Sequence, residues 1–147
     1  MIGTIVQARM ASTRLPGKVL LEINGKPLLD YVFSQLEQVQ KQNIVILATT
    51  KNLVDDVLAD YAKARGIICF RGSENNVLER FYQAAVQHNL QHILRITGDC
   101  PFIDPEVCNR IIDYYFREQV DLAGTGDSFA DGVDFEILSF KTLDKIY

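Results

Sequence analysis

The chain has 147 residues, of which 48% are hydrophobic and 23% charged, and its formal net charge is -4. This length and composition are typical of one globular domain with a full core, and they exclude a disordered or fibrous protein. An isoelectric point near 5.1 argues against general nucleic-acid binding, which needs a broad basic surface.

Short apolar runs alternate with segments of helical periodicity along the chain. The runs predict strands over residues 2–8, 43–49, 67–70, 92–97, 120–123 and 133–138. The periodic segments predict helices over residues 27–40, 52–65, 76–88 and 105–118, the last one capped by Asp104. This order predicts an α/β fold in which helices sandwich a mostly parallel sheet. In such folds ligands bind beyond the carboxyl ends of the strands, near a topological switch point.

The domain organisation follows from the same pattern. We find no internal repeat, linker or low-complexity segment, so we expect one domain over residues 1–147. Residues 139–147 have the pattern of a helix that is just beginning, which leaves open that the domain is truncated at its C-terminus.

The N-terminal segment and the cysteines predict a cytoplasmic protein. Residues 2–6 are apolar, but Arg9 interrupts the run too early for a signal peptide. No apolar run approaches the roughly 18 residues that a membrane span needs. Cys69, Cys100 and Cys108 form no CxxC pair, and the odd number predicts reduced thiols.

A cluster of positive charge follows the first predicted strand. Arg9, Arg14 and Lys18 share one short segment with Pro16 and Gly17. The arginines offer planar, forked donors, the lysine offers a point charge, and glycine lets backbone N–H groups approach an anion. The segment therefore suits a triphosphate or pyrophosphate, although neither GxGxxG nor GxxxxGK[ST] is present. Charge alone leaves an ordinary solvated turn as the alternative.

This segment, ARMASTRLPGKVL at residues 8–20, resembles the N-terminal signature of the sugar-acid cytidylyltransferases, the family of CMP-KDO and CMP-acylneuraminate synthetases. The nearest resemblance is to the group of spore-coat polysaccharide biosynthesis protein F. It extends over nearly the whole chain through GSENNVLERFYQAA, TGDCPFIDP and DGVDFEILS, at residues 72–85, 97–105 and 131–139. It implies an α/β fold of the nucleotide-diphospho-sugar transferase type, which is Rossmann-like.

The resemblance also implies roles for individual residues. Those implied to bind the nucleotide are Ala8, Arg9, Ser12, Arg14, Gly17, Lys18, Arg71 and Arg80. Of these, Arg9, Arg14 and Lys18 would act in catalysis by stabilising the departing pyrophosphate. Arg71 would contact cytosine, unless it is only a charged residue at a strand end. Arg80 would lie near the nucleotide or sugar, unless it pairs with a glutamate on the surface.

Three acidic residues are candidate ligands for Mg²⁺. Asp99 follows the fourth predicted strand, and in the resembled family the aspartate of this motif binds the metal; a turn cap is the alternative. Asp134 and Glu136 alternate along a predicted strand, so they should project to the same face. Two negative charges on one face must be compensated by a bound cation, by solvent or by a salt bridge. In CMP-KDO synthetases the second metal aspartate comes from a later segment, so either residue here is only a candidate.

The function implied by the resemblance is transfer of CMP from CTP to a sugar or sugar acid, with release of pyrophosphate, in surface polysaccharide biosynthesis. The partners would be CTP and the sugar, without nucleic acid or membrane, and the resembled enzymes commonly form homodimers. Two alternatives stay open. One is a metal-dependent glycosyltransferase that uses a finished nucleotide-sugar, and the other is a nucleotide-binding module without catalysis.

Overall fold

The computed structural model describes residues 1–126 and 129–147, in which strands and helices alternate. The strands are β1 (Ile2–Gln7), β2 (Glu22–Ile23), β3 (Lys26–Pro27), β4 (Ile44–Thr50), β5 (Ile68–Gly72), β6 (His92–Thr97), β7 (Leu122–Gly124) and β8 (Phe135–Ser139). The α-helices are α1 (Leu28–Leu36), α2 (Asp56–Ala64), α3 (Val77–Gln87), α4 (Pro105–Glu118) and α5 (Phe140–Ile146).

One sheet carries the fold, with strand order β5–β4–β1–β6–β8–β7. The first four of these strands are parallel, whereas β8 runs antiparallel to both β6 and β7. Strands β2 and β3 form a separate small hairpin. Because β1 lies between β4 and β6, the strand order reverses there, and this reversal is the topological switch point of the sheet.

Helices cover both faces of the sheet, as predicted. On one face, α1, α2 and α4 bury apolar side chains such as Leu29, Leu58 and Ile112. On the other face, α3 and α5 bury a second cluster that includes Phe81 and Leu143. A sheet covered on both faces needs strands that are apolar along most of their length, which explains the short, nearly continuous apolar runs of the sequence.

The helix starts follow the predicted capping chemistry. The Asp104 carboxylate accepts hydrogen bonds from the backbone N–H groups of Glu106 and Val107, at 2.8 and 3.0 Å, and Pro105 occupies the first turn of α4. Asn76 caps α3 in the same way through the N–H of Glu79. These caps fix where α3 and α4 begin relative to the strand ends.

Several predicted boundaries shift in the structure, the largest shifts being at the end of α1 and the start of α2, and one hairpin is additional. Helix α1 ends at Leu36 instead of residue 40, because the chain tightens into i→i+3 turns there, with Val39 N–H donating to the Leu36 carbonyl. Val39 stays buried, so the apolar period continues beyond the helix. A 3₁₀ turn over Leu53–Asp55 precedes α2, and Asn52 makes no side-chain cap. The hairpin of β2 and β3 was not predicted, since strands of two residues show no alternation.

Within the described residues, no helix is long and apolar enough to cross a membrane. The three cysteines, all in the described part of the chain, are free thiols; Cys100 and Cys108 are buried and Cys69 is half-buried.

Candidate active site

A polar cavity of about 240 Å³ lies at the carboxyl ends of β1 and β6, where the strand order reverses. The loop after β1, which we call the basic loop (residues 8–18), forms one wall, and the turn after β6 forms the other. The lining residues are Gln7, Ala8, Arg9, Ser12, Thr13, Arg14, Lys18, Val19, Thr97, Gly98 and Asp99. The structure thus brings five of the predicted nucleotide-binding residues and the first metal candidate to one place.

Met10 closes the basic loop on itself. Its carbonyl oxygen accepts hydrogen bonds from the backbone N–H groups of Ser12 and Gly17, at 2.9 and 2.8 Å. Gly17 has φ +72°, a left-handed conformation that other residues adopt only with strain. The closed loop carries Lys18 back toward the cavity. Gly17 itself does not line the cavity, so the structure gives it the role of shaping the loop.

The two walls meet at an ion pair between Lys18 Nζ and Asp99 Oδ2. Burial alone would raise the pKa of Asp99, but hydrogen bonds from Lys18 and Thr97 and the lysine charge act the other way, so that the pKa is lowered. Asp99 is therefore an ionised oxygen donor at neutral pH. Lys18 and Asp99 keep 27% and 36% of their side-chain surfaces exposed, which leaves both open to a ligand.

Gly98 allows the turn after β6 to lie against the end of β1. Its N–H donates to the Gln7 carbonyl at 2.7 Å. A Cβ atom at this position would lie 3.0 Å from both Ala8 Cβ and Leu29 Cδ2. The contact leaves no room for a side chain, and it fixes the separation between Asp99 and the basic loop.

Arg9 and Arg14 are exposed and line the cavity. Over residues 1–126 and 129–147, neither arginine forms an ion pair with a carboxylate. Their guanidinium groups are therefore available to an anion in the cavity, which is the arrangement that the sequence predicts for phosphate binding.

The other two metal candidates line a neighbouring cavity of about 140 Å³, and Thr97 borders both cavities. Glu136 pairs with Arg95 across β6 and β8, with 2.6 Å between Arg95 Nη1 and Glu136 Oε2. Of the three partners that the sequence left open for these acids, a cation, solvent or a salt bridge, Glu136 thus has the salt bridge. Asp134 precedes β8 and is exposed, and its carboxylate accepts a hydrogen bond from the Gly132 N–H at 3.1 Å.

Asp99 and Asp134 line neighbouring cavities that share Thr97. The pKa of the Cys100 thiol is raised, first by burial and then by the negative charges of Asp99 and Asp134. Both carboxylates therefore act on one thiol next to the end of β6. No group of three or more histidine, cysteine or acidic side chains in the described ranges is arranged to enclose a metal.

Arg71 lies outside the first cavity and borders another of about 420 Å³ between β5 and α3. Its Nε and Nη2 donate to the carbonyls of Thr50 and Asn52, each at 2.8 Å, and its Nη1 pairs with Asp56 at 2.6 Å. The guanidinium thus holds the connection between β4 and α2. Its predicted contact with cytosine stays a prediction.

Arg80 is buried completely, which the sequence did not indicate. Its Nη1 donates to the Ser73 carbonyl, whereas Nε and Nη2 have no hydrogen-bond partner among residues 1–126 and 129–147. The pKa of Arg80 is lowered, first by burial and then by the charge of Arg9. Arg80 therefore lies close enough to Arg9 for the two charges to interact, it borders the cavity between β5 and α3, and it pairs with no glutamate among the described residues.

Asp55 is a residue of the site region that the sequence analysis missed. It is 1% exposed, and its Oδ1 accepts a hydrogen bond from the backbone N–H of Met10 at 2.7 Å. Oδ2 accepts one from the hydroxyl of Thr50. The sequence offered only an acidic residue near a helix start, which is the common position for a cap.

Comparison with known proteins agrees with this geometry. The family model described as cytidylyltransferase matches residues 4–145. The chain belongs to the cytidylyltransferase family. It is 40% identical over 122 residues to the spore coat polysaccharide biosynthesis protein SpsF of Bacillus subtilis, a match that covers 80% of this chain and 50% of SpsF. The resemblance to this family is thereby confirmed.

Solved structures confirm the predicted fold. A cytidylyltransferase from Leptospira borgpetersenii superposes with a TM-score of 0.93 at 35% identity, over 99% of this chain and 63% of that one. CMP:2-keto-3-deoxy-manno-octonic acid synthetase, solved with CTP, superposes with a TM-score of 0.78 at 17% identity, over 99% of this chain and 76% of that one. This second match shows the nucleotide-diphospho-sugar transferase type of fold.

Two further facts bear on the cytidylyltransferase site. The chain spans about half the length of the relatives that it matches: 50% of SpsF, and 58% of the uncharacterized protein MJ1063 of Methanocaldococcus jannaschii, to which it is 33% identical over 97% of its own length. A protein of the same fold from Mycobacterium tuberculosis, Rv0371c, has been solved in complex with manganese, with a TM-score of 0.66 at 17% identity, over 99% of this chain and 73% of that one. A divalent metal is thus bound by a protein of this fold.

Proposed function

We propose that this chain carries the nucleotide site of an enzyme that transfers CMP from CTP to a sugar acid and releases pyrophosphate. The observation that carries the proposal is the meeting of Arg9, Arg14 and Lys18 with Asp99 around one cavity at the switch point of the sheet. Cations from one wall suit the phosphates, and the carboxylate of the other wall suits a hard cation.

The chain's residues divide the work by charge. Arg9 and Arg14 bind phosphate oxygens through their forked N–H donors, and Lys18 adds a point charge beside Asp99. These cations neutralise the negative charge that builds on the β- and γ-phosphates as the bond to the α-phosphorus breaks. No protein nucleophile is required, because positioning and charge neutralisation favour direct attack by the acceptor hydroxyl.

The donor set fits Mg²⁺. This ion is bound in proteins by one or two carboxylates together with substrate phosphates, and it keeps several waters. Asp99 would hold it, with Asp134 as the second oxygen ligand; Glu136 is the weaker candidate because it pairs with Arg95. When bound, the ion supplies charge neutralisation on the phosphates and helps the acceptor hydroxyl lose its proton.

The acceptor and the setting are proposed from the family. SpsF is named for spore-coat polysaccharide biosynthesis, which supports a role in making a surface polysaccharide. The free thiols fit a reducing compartment, so we place the reaction in the cytoplasm. We also propose a homodimer, which sedimentation analysis would test.

The test is pyrophosphate release from CTP and Mg²⁺ with a series of candidate sugar acids. We expect release with at least one acid, loss of it in Asp99→Asn, and a reduction of about tenfold or more in CTP affinity in Lys18→Ala. Lys26→Ala is the matched control, because Lys26 is exposed in β3 and does not line the cavity.

Two outcomes would contradict the proposal. Binding of CTP without pyrophosphate release from any acid would leave a nucleotide-binding module. Turnover of a finished nucleotide-sugar, with no use of CTP, would indicate the glycosyltransferase alternative. Equal CTP affinity in Lys18→Ala and Lys26→Ala would remove Lys18 from the phosphate site.

A further inference from the structure

Asp55 stands at a position where an aspartate normally caps its own helix. It is the residue before α2, yet its side chain makes no capping hydrogen bond. Both carboxylate oxygens are used elsewhere, one by Met10 and the other by Thr50. Burying a carboxylate costs free energy unless hydrogen bonds compensate for the lost water. Because Asp55 is 1% exposed and does not bond the N–H groups of its own helix, its bond to the distant Met10 must provide part of that compensation.

The distant partner is the residue on which the basic loop closes. The Met10 carbonyl accepts the hydrogen bonds from Ser12 and Gly17, and the Met10 N–H donates to Asp55 at 2.7 Å. Arg9 is bonded directly to Met10, and Lys18 directly to Gly17. An interaction that holds the Met10 peptide in place therefore also restricts the backbone from which the side chains of Arg9 and Lys18 extend toward the cavity.

We infer that Asp55 is a positioning residue, whose buried carboxylate holds the Met10 peptide so that Arg9 and Lys18 are set for phosphate binding before a ligand arrives. The inference rests on the proposed function for the identity of the ligand. It goes beyond that function because Asp55 lines none of the described cavities that hold the candidate ligand-binding residues.

The charge environment supports this role. The pKa of Arg80 is lowered by burial and by Arg9, while the negative charge of Asp55 acts in the opposite direction. Asp55 thus offsets part of the repulsion between the guanidinium groups of Arg9 and Arg80. A carboxylate accepts a hydrogen bond from a backbone N–H more strongly than a neutral carbonyl does. The Asp55 carboxylate therefore holds the Met10 N–H more firmly than a backbone carbonyl would.

The experiment compares two substitutions at Asp55 with the same two at Asp60, an exposed aspartate on α2. CTP affinity is measured by titration calorimetry, and exchange of the Met10 amide hydrogen is measured by NMR. We expect Asp55→Ala to weaken CTP binding about tenfold and to speed Met10 exchange about tenfold or more. Asp55→Asn keeps a carbonyl acceptor, so it should restore most of both; the Asp60 variants should match the wild type.

A merely structural role would give another pattern. The melting temperature would fall in Asp55→Ala, but the folded protein would bind CTP as the wild type does, and this result would overturn the inference. Unchanged Met10 exchange in Asp55→Ala would overturn it as well. If Asp55→Ala does not fold, Thr50→Val provides the second route, because it removes the hydroxyl that holds Oδ2 and should speed Met10 exchange.

Failure of the proposed function is distinguishable from failure of this inference. A wild-type protein that binds no CTP would contradict the proposed function, and with it the proposal that the basic loop binds phosphates. The exchange of the Met10 amide would still decide whether Asp55 holds that peptide. Suppose that the Met10 amide exchanges faster in Asp55→Ala, while every variant binds CTP as the wild type does. The hydrogen bond between Asp55 and Met10 would then be confirmed, but the positioning role would be rejected.

Discussion

At the scale of single residues, the site consists of three cations from the basic loop and one carboxylate from the turn after β6. Arg9, Arg14 and Lys18 lie on one short segment, so the sequence itself places them together. Asp99 joins them because parallel strands end at one edge of the sheet. Asp55 could not be predicted, since its partner Met10 is 45 residues away and the contact depends on how two loops pack.

The Lys18–Asp99 pair makes a prediction about proton binding. Burial would raise the pKa of Asp99, and the lysine reverses that effect, so the folded-state pKa lies below the ordinary value of 3.8. Ionised Asp99 therefore stabilises the fold above about pH 4, and this contribution disappears as the pH falls through the folded-state pKa. In Lys18→Ala, we expect the pKa of Asp99 to rise above its wild-type value.

Carbon-detected NMR titration of the Asp99 carboxyl group checks this. The matched control is Lys41→Ala, which breaks an exposed pair with Asp113 far along the sequence and should leave the titration of Asp99 unchanged. An Asp99 midpoint that does not move in Lys18→Ala would mean that Thr97 and the local backbone lower the pKa without the lysine.

At the scale of elements, the site is set by how closely the ends of β1 and β6 approach. The alternation of apolar runs and helical periods predicted both strands, because sheet burial on two faces leaves a strong pattern. It did not predict the hairpin of β2 and β3, nor that α1 ends at Leu36. Those features depend on turns of two to four residues, in which periodicity carries no information.

The turn after β6 gives the prediction at this scale. In Gly98→Ala, the added Cβ would lie 3.0 Å from Ala8 Cβ and Leu29 Cδ2 and 3.1 Å from the Gln7 carbonyl oxygen; the Leu29 side chain can shift, but Ala8 Cβ and the Gln7 carbonyl move only with the backbone of the chain after β1. We expect a loss of about 1–3 kcal/mol in the free energy of unfolding, as is usual for overpacked sites, together with weaker CTP binding because Asp99 moves away from Lys18.

Urea denaturation and calorimetry measure the two effects. Gly126→Ala is the control, because a Cβ atom there would have no atom of the described residues within 4 Å and the glycine has no positive φ. Wild-type stability and binding in Gly98→Ala would show that the two walls of the cavity can separate without cost, and the close packing would then have no part in forming the site.

At the scale of the whole molecule, the fold buries one charged residue completely, Arg80. The class of fold and its order of elements follow from the sequence, but the depth of Arg80 does not, because its helix face is set by how α3 packs against β5. Arginine is rarely buried without a carboxylate partner. A fully buried guanidinium whose Nε and Nη2 have no hydrogen-bond acceptor among the described residues therefore lowers stability, and it supplies a charge that interacts with Arg9.

This trade predicts opposite effects of two substitutions at Arg80. Methionine fills much of the same space without a charge, so Arg80→Met should keep the free energy of unfolding within about 1.5 kcal/mol of the wild type or increase it, whereas Arg80→Ala should lose about 2–4 kcal/mol because it leaves a cavity. Both should weaken CTP binding, since both remove a positive charge that interacts with Arg9 at the cavity. Arg110→Met, on the exposed face of α4, controls for a general effect of the substitution. If Arg80→Met destabilises the protein as much as Arg80→Ala does, the buried charge stabilises the fold. The proposal that Arg80 lowers stability for the benefit of the nucleotide site would then be wrong.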